Sequence, residues 1–133
     1  MLPFSAYFVF LGSRVVANRV QNDKWIGDDL AVTEEKNTAN PLKVAGRCHS
    51  NFAENVPLAL LLATVVELNG GDRRVLSGSL GALFFLRILH VELGLRGPDN
   101  KSIGRILGYF GTQTFIAGMA GYAAYLVKGY WGY

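Results

Sequence analysis

The chain has 133 residues, of which half are apolar and only 17% are charged, and its formal net charge is +3. This composition is typical of a membrane protein and leaves room for one domain, which we expect to span residues 1–133. A basic soluble protein would suggest a nucleic-acid partner, but here lysine and arginine border apolar segments, so membrane topology explains them better. Because Cys48 is the only cysteine, we expect no disulfide bond within the chain.

The apolar segments predict four helices that cross a membrane. The stretch 106–127 holds 22 residues without a charged side chain, enough to span the hydrocarbon core at about 1.5 Å per residue. The other three segments reach that length only with flanking polar residues. We expect a loop over residues 21–41, N-caps at Asn40 and Ser102, and a kink at Pro57. The predicted helices are Pro3 to about Val20, about Pro41 to Leu68, after Arg74 to between His90 and Gly94, and Ser102 to about Lys128.

A polar turn is fused to the apolar part of helix 2. Arg47, Asn51 and Glu54 are spaced i, i+4 and i+7, so a helix places them on one face. Charges within a membrane span are costly unless they pair, face the protein interior or meet a polar ligand, which makes this face a candidate functional site. The alternative is an Arg–Glu pair between helices that only fixes their packing.

The other polar residues of the helices collect at the same side of the membrane. In an up-down-up-down arrangement, this side holds the end of helix 1, the start of helix 2, the end of helix 3 and the start of helix 4. Its excess of lysine and arginine predicts that it is cytosolic. Guanidinium groups bind carboxylates through two parallel hydrogen bonds, so the cluster favours a small anionic ligand. If that ligand carries a thiol, Arg105 and Tyr109, one helical turn apart, are the candidates for stabilising the thiolate.

Several competing interpretations stay open or have less support. His90 is also compatible with a packing histidine. Cys48, His49 and His90 are too few and too scattered for a zinc site, and no base is defined that would activate Cys48 as a nucleophile. A small transporter subunit is disfavoured because the polar residues collect at one end. Small residues recur in pairs that either let helices approach closely or are filler, namely Gly78 with Ala82, Gly104 with Gly108 and Ala117 with Gly121.

Helix 2 resembles the signature Arg-x-x-x-Asn-x-x-Glu, followed shortly by proline, of the MAPEG superfamily, the membrane-associated proteins in eicosanoid and glutathione metabolism. Here the signature reads Arg47-Cys48-His49-Ser50-Asn51-Phe52-Ala53-Glu54, with Pro57 after it. The resemblance extends to Arg87-Ile88-Leu89-His90 and to the pair Arg105 and Tyr109. The sequence around Pro57 is more similar to the microbial branch of the family. Ser50 stands where some glutathione-using members carry a second arginine.

The resemblance implies an all-α integral membrane four-helix bundle that assembles as a homotrimer and binds glutathione between neighbouring subunits. Arg105, assisted by Tyr109, would stabilise the thiolate. The implied function is a glutathione transferase or peroxidase acting on lipophilic small molecules that arrive from the membrane lipids, and the alternative is a noncatalytic lipid-binding or scaffold protein of the same fold. We expect an internal membrane such as the endoplasmic reticulum in a eukaryote, or the inner membrane in a bacterium. The implied glutathione-binding residues are Arg47, Asn51, Glu54, Arg87 and His90, with Arg14 or Arg19 closing the site.

Overall fold

The computed structural model describes residues 1–21, 23, 41–96 and 103–132 of the chain. Within these residues it contains four long α-helices and no β-strand, which confirms the predicted all-α fold with four helices. A π-helical segment continues α3, and a short 3-10 turn follows α4. The bounds are α1 Leu2–Gln21, α2 Pro41–Leu68, α3 Arg73–Leu89, the π-segment His90–Leu95, α4 Ile103–Val127 and the 3-10 turn Lys128–Trp131.

The turn between α2 and α3 is built from local hydrogen bonds. Helix α2 continues through Pro57 and gives way to Gly70, whose φ of 83° is in the left-handed region that glycine adopts without strain. Asp72 then caps α3, because its Oδ1 atom accepts hydrogen bonds from the backbone N–H groups of Arg74 at 2.7 Å and Val75 at 3.1 Å. This cap lets α3 begin at Arg73, earlier than predicted. The expected N-caps Asn40 and Ser102 lie outside the described residues.

Two helices in the described part of the chain are long and apolar enough to cross a membrane, namely Pro41–Leu68 and the continuous helix Arg73–Leu95. The prediction from sequence placed most weight on residues 106–127, but α4 is not one of these two helices. Its glycine, threonine, glutamine and tyrosine residues lower the mean hydropathy although the stretch has no charged side chain. The number of spans and their orientation therefore stay predictions.

The chain divides into two compact units, Met1–Ala53 and Glu54–Tyr133. In the first unit, α1 packs on the first part of α2 through aromatic rings. The Phe52 side chain is only 2% exposed, and its ring centroid lies 5.6 Å from that of Tyr7 and 6.2 Å from that of Phe8. These edge and tilted geometries are the ones that aromatic pairs prefer, so this cluster fixes the two helix segments against each other.

The second unit is held together by an apolar cluster that joins the last part of α2 with α3 and α4. Tyr122 adds a polar contact beside it, because its hydroxyl oxygen accepts a hydrogen bond of 3.0 Å from the backbone N–H of Asp72. This bond places the beginning of α3 next to the last turns of α4. The buried members of the cluster are Ala63, Val66, Leu76, Met119 and Ala123.

Candidate functional site

Two ionisable residues near the end of α3 are buried. The side chain of Arg87 is 2% exposed and that of His90, which starts the π-segment, is 3% exposed. Three residues apart on a continuous helix, they lie on the same face. The Nδ1 atom of His90 is buried and makes no hydrogen bond with any residue that the structure describes. The imidazole lies beside the backbone of Gly104 and Arg105 at the start of α4, which places polar backbone groups next to it.

Glycines bring the π-segment into direct contact with the backbone of α4. A Cβ atom added to Gly108 would lie 2.2 Å from Cβ and 2.6 Å from Cγ of His90. A Cβ atom added to Gly94 would lie 2.8 Å from the backbone nitrogen of Arg105, and one added to Gly104 would lie 2.9 Å from the carbonyl oxygen of Leu89. Without these glycines the two backbones would have to move apart. The contact places the Arg87–His90 turn beside the start of α4, which carries Arg105.

The segment His90–Leu95 is π-helical, which sequence periodicity did not predict. A π-helical turn holds more residues than an α-helical turn, and such turns are frequent at functional sites. At its end, the backbone N–H of Arg96 donates a hydrogen bond of 3.1 Å to the carbonyl oxygen of Val91. The side chains of Arg96 and Glu92 also form an ion pair. This local geometry leaves Val91 and Gly94 buried against the rest of the second unit, together with His90.

The predicted thiolate-stabilising residues lie on the first turns of α4. Arg105 is half-buried, whereas the side chain of Tyr109 is 51% exposed and its ring contacts that of Phe110 edge-on at a centroid distance of 5.3 Å. The backbone of Arg105 therefore lies against the π-segment that begins at His90. The Tyr109 ring lies at the surface of the second unit.

The polar face of α2 and the arginines of α1 were the other predicted site residues. On α2, Arg47 and Glu54 are exposed and Asn51 is half-buried. On α1, Arg14 is half-buried, and its guanidinium carbon lies 5.6 Å from the centroid of the Phe10 ring, within the range of a cation–π contact. Arg19, in the last turn of α1, is also half-buried.

One polar contact between helices was not predicted. The Nε2 atom of Gln113, on α4, donates a hydrogen bond of 3.3 Å to the Oδ1 atom of Asn55, on α2. Gln113 is exposed and follows Tyr109 by four residues. The sequence did carry a signal for this contact, because Gln113 is a carboxamide in the middle of an apolar segment. A polar side chain in a membrane helix usually serves either function or helix packing.

The remaining residues that bear reactive groups are considered within the described part of the chain. Among the residues that the structure describes, no group of three or more histidine, cysteine or acidic side chains is arranged to hold a metal ion. Cys48 is buried, with 1% of its side chain exposed. His49 is half-buried, and its ring lies over that of Phe8 at a centroid distance of 4.7 Å. These contacts describe packing of α1 on α2.

Comparison with known proteins identifies one family. The sequence model of the MAPEG family matches residues 1–125, which include every candidate site residue on α1, α2, α3, the π-segment and α4. The comparison with curated proteins and the comparison with solved structures each returned no significant match.

Proposed function

Because the chain belongs to the MAPEG family, and is therefore a membrane protein related to glutathione and eicosanoid metabolism, we propose that it is a glutathione transferase or peroxidase for lipophilic electrophiles. One observation supports this proposal most. The Nδ1 atom of His90 is buried and lacks a hydrogen bond to the described residues, next to buried Arg87 and against the start of the helix that carries Arg105. A polar ligand group would satisfy this atom.

The residues fit the chemistry of glutathione, which has two carboxylates, one ammonium group and one thiol. Arginines such as Arg47 and Arg87 suit the carboxylates, because guanidinium groups stay charged and donate two parallel hydrogen bonds. Glu54 suits the ammonium group, and the carboxamide of Asn51 can both donate and accept. His90 offers its Nδ1 atom, and an arginine of α1, Arg14 or Arg19, would close the site.

When bound, glutathione supplies a nucleophilic sulfur. Arg105 acts on that sulfur, because a guanidinium group close to a thiol favours the negatively charged thiolate and so lowers the thiol pKa. Tyr109 assists by donating its hydroxyl proton in a hydrogen bond to the same sulfur. Arg47, Asn51 and Glu54 hold the peptide part and thereby orient the sulfur toward the substrate.

We further propose that the protein is a homotrimer with each site between neighbouring subunits. In a single chain the Tyr109 ring is exposed beside Ile106, Leu107 and Phe110, each more than half exposed. This apolar surface of α4 is available to a neighbouring subunit and to a lipophilic substrate that enters from the bilayer. A site at this surface excludes water from the sulfur, which strengthens the electrostatic effect of Arg105.

Titration calorimetry of the detergent-purified protein with glutathione tests the proposal. We expect the wild type to bind and Arg47→Ala to bind at least tenfold more weakly, because a charge-assisted hydrogen bond contributes about 1.5–3 kcal/mol. Arg74→Ala is the matched control, since Arg74 is also exposed but lies in the first turn of α3. Folded wild-type protein that does not bind glutathione would contradict the proposal and favour the noncatalytic lipid-binding alternative.

A second measurement separates binding from activation. The ultraviolet absorbance of the thiolate should appear when glutathione is added to the wild type. In Arg105→Ala we expect calorimetric binding to persist while the thiolate signal is lost, because this guanidinium acts on the sulfur and not on the carboxylates. Arg105→Lys keeps a positive charge and should retain part of the signal. An unchanged signal in Arg105→Ala would remove this residue from the proposed mechanism.

A further inference from the structure

The start of α3 and the end of α4 bring cations to one end of the second unit. Arg73 is the first residue of α3, and Lys128 directly follows α4. The hydrogen bond of 3.0 Å from the Asp72 N–H to the Tyr122 hydroxyl oxygen joins the two helices at this end. Arg87 lies about 21 Å further along α3, at about 1.5 Å per residue, so this end is remote from the part of the proposed glutathione site that α3 carries.

The cations at this end have no acidic partner within the part of the chain that the structure describes. Arg73 and Lys128 are both exposed, and neither forms an ion pair there. The Asp72 carboxylate accepts two backbone N–H groups as the cap of α3. Glu67, in the last turn of α2, is exposed and makes no ion pair with a described residue either. Cations without a countercharge at the edge of a membrane attract anionic lipid.

Apolar and aromatic side chains beside these cations are typical of the boundary between lipid and water. Helix α2, which is long and apolar enough to cross a membrane, ends at Leu68, and this residue is 80% exposed. Tyr125 and Tyr130 are also exposed, and the ammonium nitrogen of Lys128 lies 4.3 Å from the centroid of the Tyr125 ring. Tyrosine is enriched at the level of the lipid headgroups, and lysine extends its ammonium group to that level.

The two arginines at the start of α3 lie on different faces of the helix. Arg73 precedes buried Leu76 by three residues, so it lies on the face that packs against α2 and α4. Arg74 is one residue further, about 100° around the helix, and therefore lies away from that face. Of the two, Arg73 is placed to act together with a cation from α4.

We propose that Arg73 and Lys128 bind the headgroup of an anionic phospholipid between the start of α3 and the end of α4. The guanidinium group donates two parallel hydrogen bonds to phosphate oxygens, and the ammonium group adds a second positive charge. A zwitterionic headgroup carries its own ammonium group, which both cations repel, so the site selects lipids with a net negative charge. Tyr125 and Tyr130 border the headgroup. This inference does not depend on the proposed function.

Native mass spectrometry of the detergent-purified protein tests the proposal, with phosphatidylglycerol and phosphatidylcholine of identical acyl chains as the probes. The spectra give the Kd of the first bound molecule of each lipid. We expect the wild type to bind phosphatidylglycerol about tenfold more tightly, because one cation near the lipid surface contributes a factor of about five. In Arg73→Gln/Lys128→Gln this preference should fall about fivefold or more, while the Kd for phosphatidylcholine stays the same.

Two further variants separate a defined site from a general attraction of charges. Arg74→Gln is the matched control, since it removes the same charge from the same helical turn but from another face, and should keep most of the preference. Glu67→Gln removes a negative charge at this end of the unit and should raise the preference. Thermal unfolding in detergent is measured for every variant. If the double variant does not fold, Arg73→Gln and Lys128→Gln are tested singly, each with a smaller expected loss.

Three results would overturn the inference. One is equal affinity of the wild type for the two lipids. Another is an equal loss of preference in Arg73→Gln, Arg74→Gln and Lys128→Gln, because it would indicate attraction to the basic surface as a whole. The third is an unchanged preference in folded variants that lack Arg73 or Lys128. Glutathione binding should be the same in all of these variants, so failure of the proposed function and failure of this inference are distinguishable.

Discussion

Gly108 supports the ring of His90 directly. A Cβ atom on Gly108 would lie 2.2 Å from Cβ, 2.6 Å from Cγ and 2.6 Å from Nδ1 of the histidine, distances that real Cβ atoms do not show. The imidazole therefore rests on the bare backbone of α4. Because the nearest atoms belong to the root of the His90 side chain, rotation of its flexible end cannot relieve a clash.

We expect Gly108→Ala to lower the free energy of unfolding by about 1–3 kcal/mol, the usual cost of overpacking, and to weaken glutathione binding by displacing His90. The matched control is Gly111→Ala, where the new Cβ would lie 2.6 Å from Cδ1 of Leu86, the movable end of a side chain. Gly121→Ala is a second control, with no atom within 4 Å. Thermal unfolding in detergent measures all three. Equal losses for Gly108→Ala and Gly121→Ala would contradict the packing argument.

His90→Phe should separate stability from ligand binding. The substitution keeps a planar ring but removes the buried Nδ1 atom that lacks a hydrogen bond among the described residues. Leaving a buried polar group unsatisfied costs about 1–3 kcal/mol, so the ligand-free variant should unfold at a higher temperature than the wild type. Its affinity for glutathione should fall, as expected when a functional residue is replaced for stability.

His49→Phe is the control for this substitution, because His49 is half-buried against Phe8 and outside the proposed glutathione-binding set. It should leave the glutathione affinity near that of the wild type. A lower melting temperature for ligand-free His90→Phe would show that the imidazole already has its hydrogen bonds, and that Nδ1 does not await a ligand.

Much of the helical framework was predictable because its signals are local. The apolar stretch 56–66 is followed closely by Asn69-Gly70-Gly71, and α2 ends just before Gly70, which adopts a positive φ. Helix α3 begins earlier than predicted because Asp72 caps it. Asp72 precedes the helix as a typical N-cap does, so the signal was present.

The contacts between helices were less predictable. Of the small-residue pairs in the sequence, Gly104 and Gly108 meet atoms of the π-segment and α3, whereas Gly78 and Gly121 have nothing within 4 Å. Equal spacing therefore did not reveal which glycines touch a neighbour, since that depends on how the helices rotate and cross. The π-segment was not predicted either, because the periodicity of apolar residues does not show where a backbone hydrogen bond runs from residue i+5 to residue i.

Phe52 should contribute strongly to the first unit. Its ring is 2% exposed and contacts the rings of Tyr7 and Phe8, so Phe52→Ala leaves a cavity between α1 and α2. We expect a loss of about 3–5 kcal/mol in the free energy of unfolding, with a smaller loss for Phe52→Leu. The control Phe85→Ala removes a phenylalanine that is 61% exposed and should cost far less. Denaturation in mixed detergent micelles measures the differences, and similar losses at both positions would contradict the assigned packing.

The hydrogen bond between the Asp72 N–H and the Tyr122 hydroxyl should stabilise the beginning of α3. Tyr122→Phe removes the hydroxyl that accepts from the Asp72 N–H, and we expect a loss of about 1 kcal/mol. Asp72→Ala removes the cap but keeps that N–H, and should also cost about 1 kcal/mol, whereas Asp72→Asn should cost little because asparagine caps equally well. Tyr125→Phe is the control, because it also removes a tyrosine hydroxyl from α4. It keeps the ring whose centroid lies 4.3 Å from the Lys128 ammonium nitrogen.

Hydrogen exchange of the Asp72 amide provides the direct measurement, because Tyr122→Phe should accelerate it while Tyr125→Phe leaves it unchanged. The two losses should be less than additive in the double variant Asp72→Ala/Tyr122→Phe, since both substitutions release the same turn. Full additivity with unchanged exchange would mean that the hydroxyl does not hold the turn. In that case α3 would begin at Arg73 because of the Asp72 cap alone, and the last turns of α4 would be positioned only by the apolar cluster around Met119.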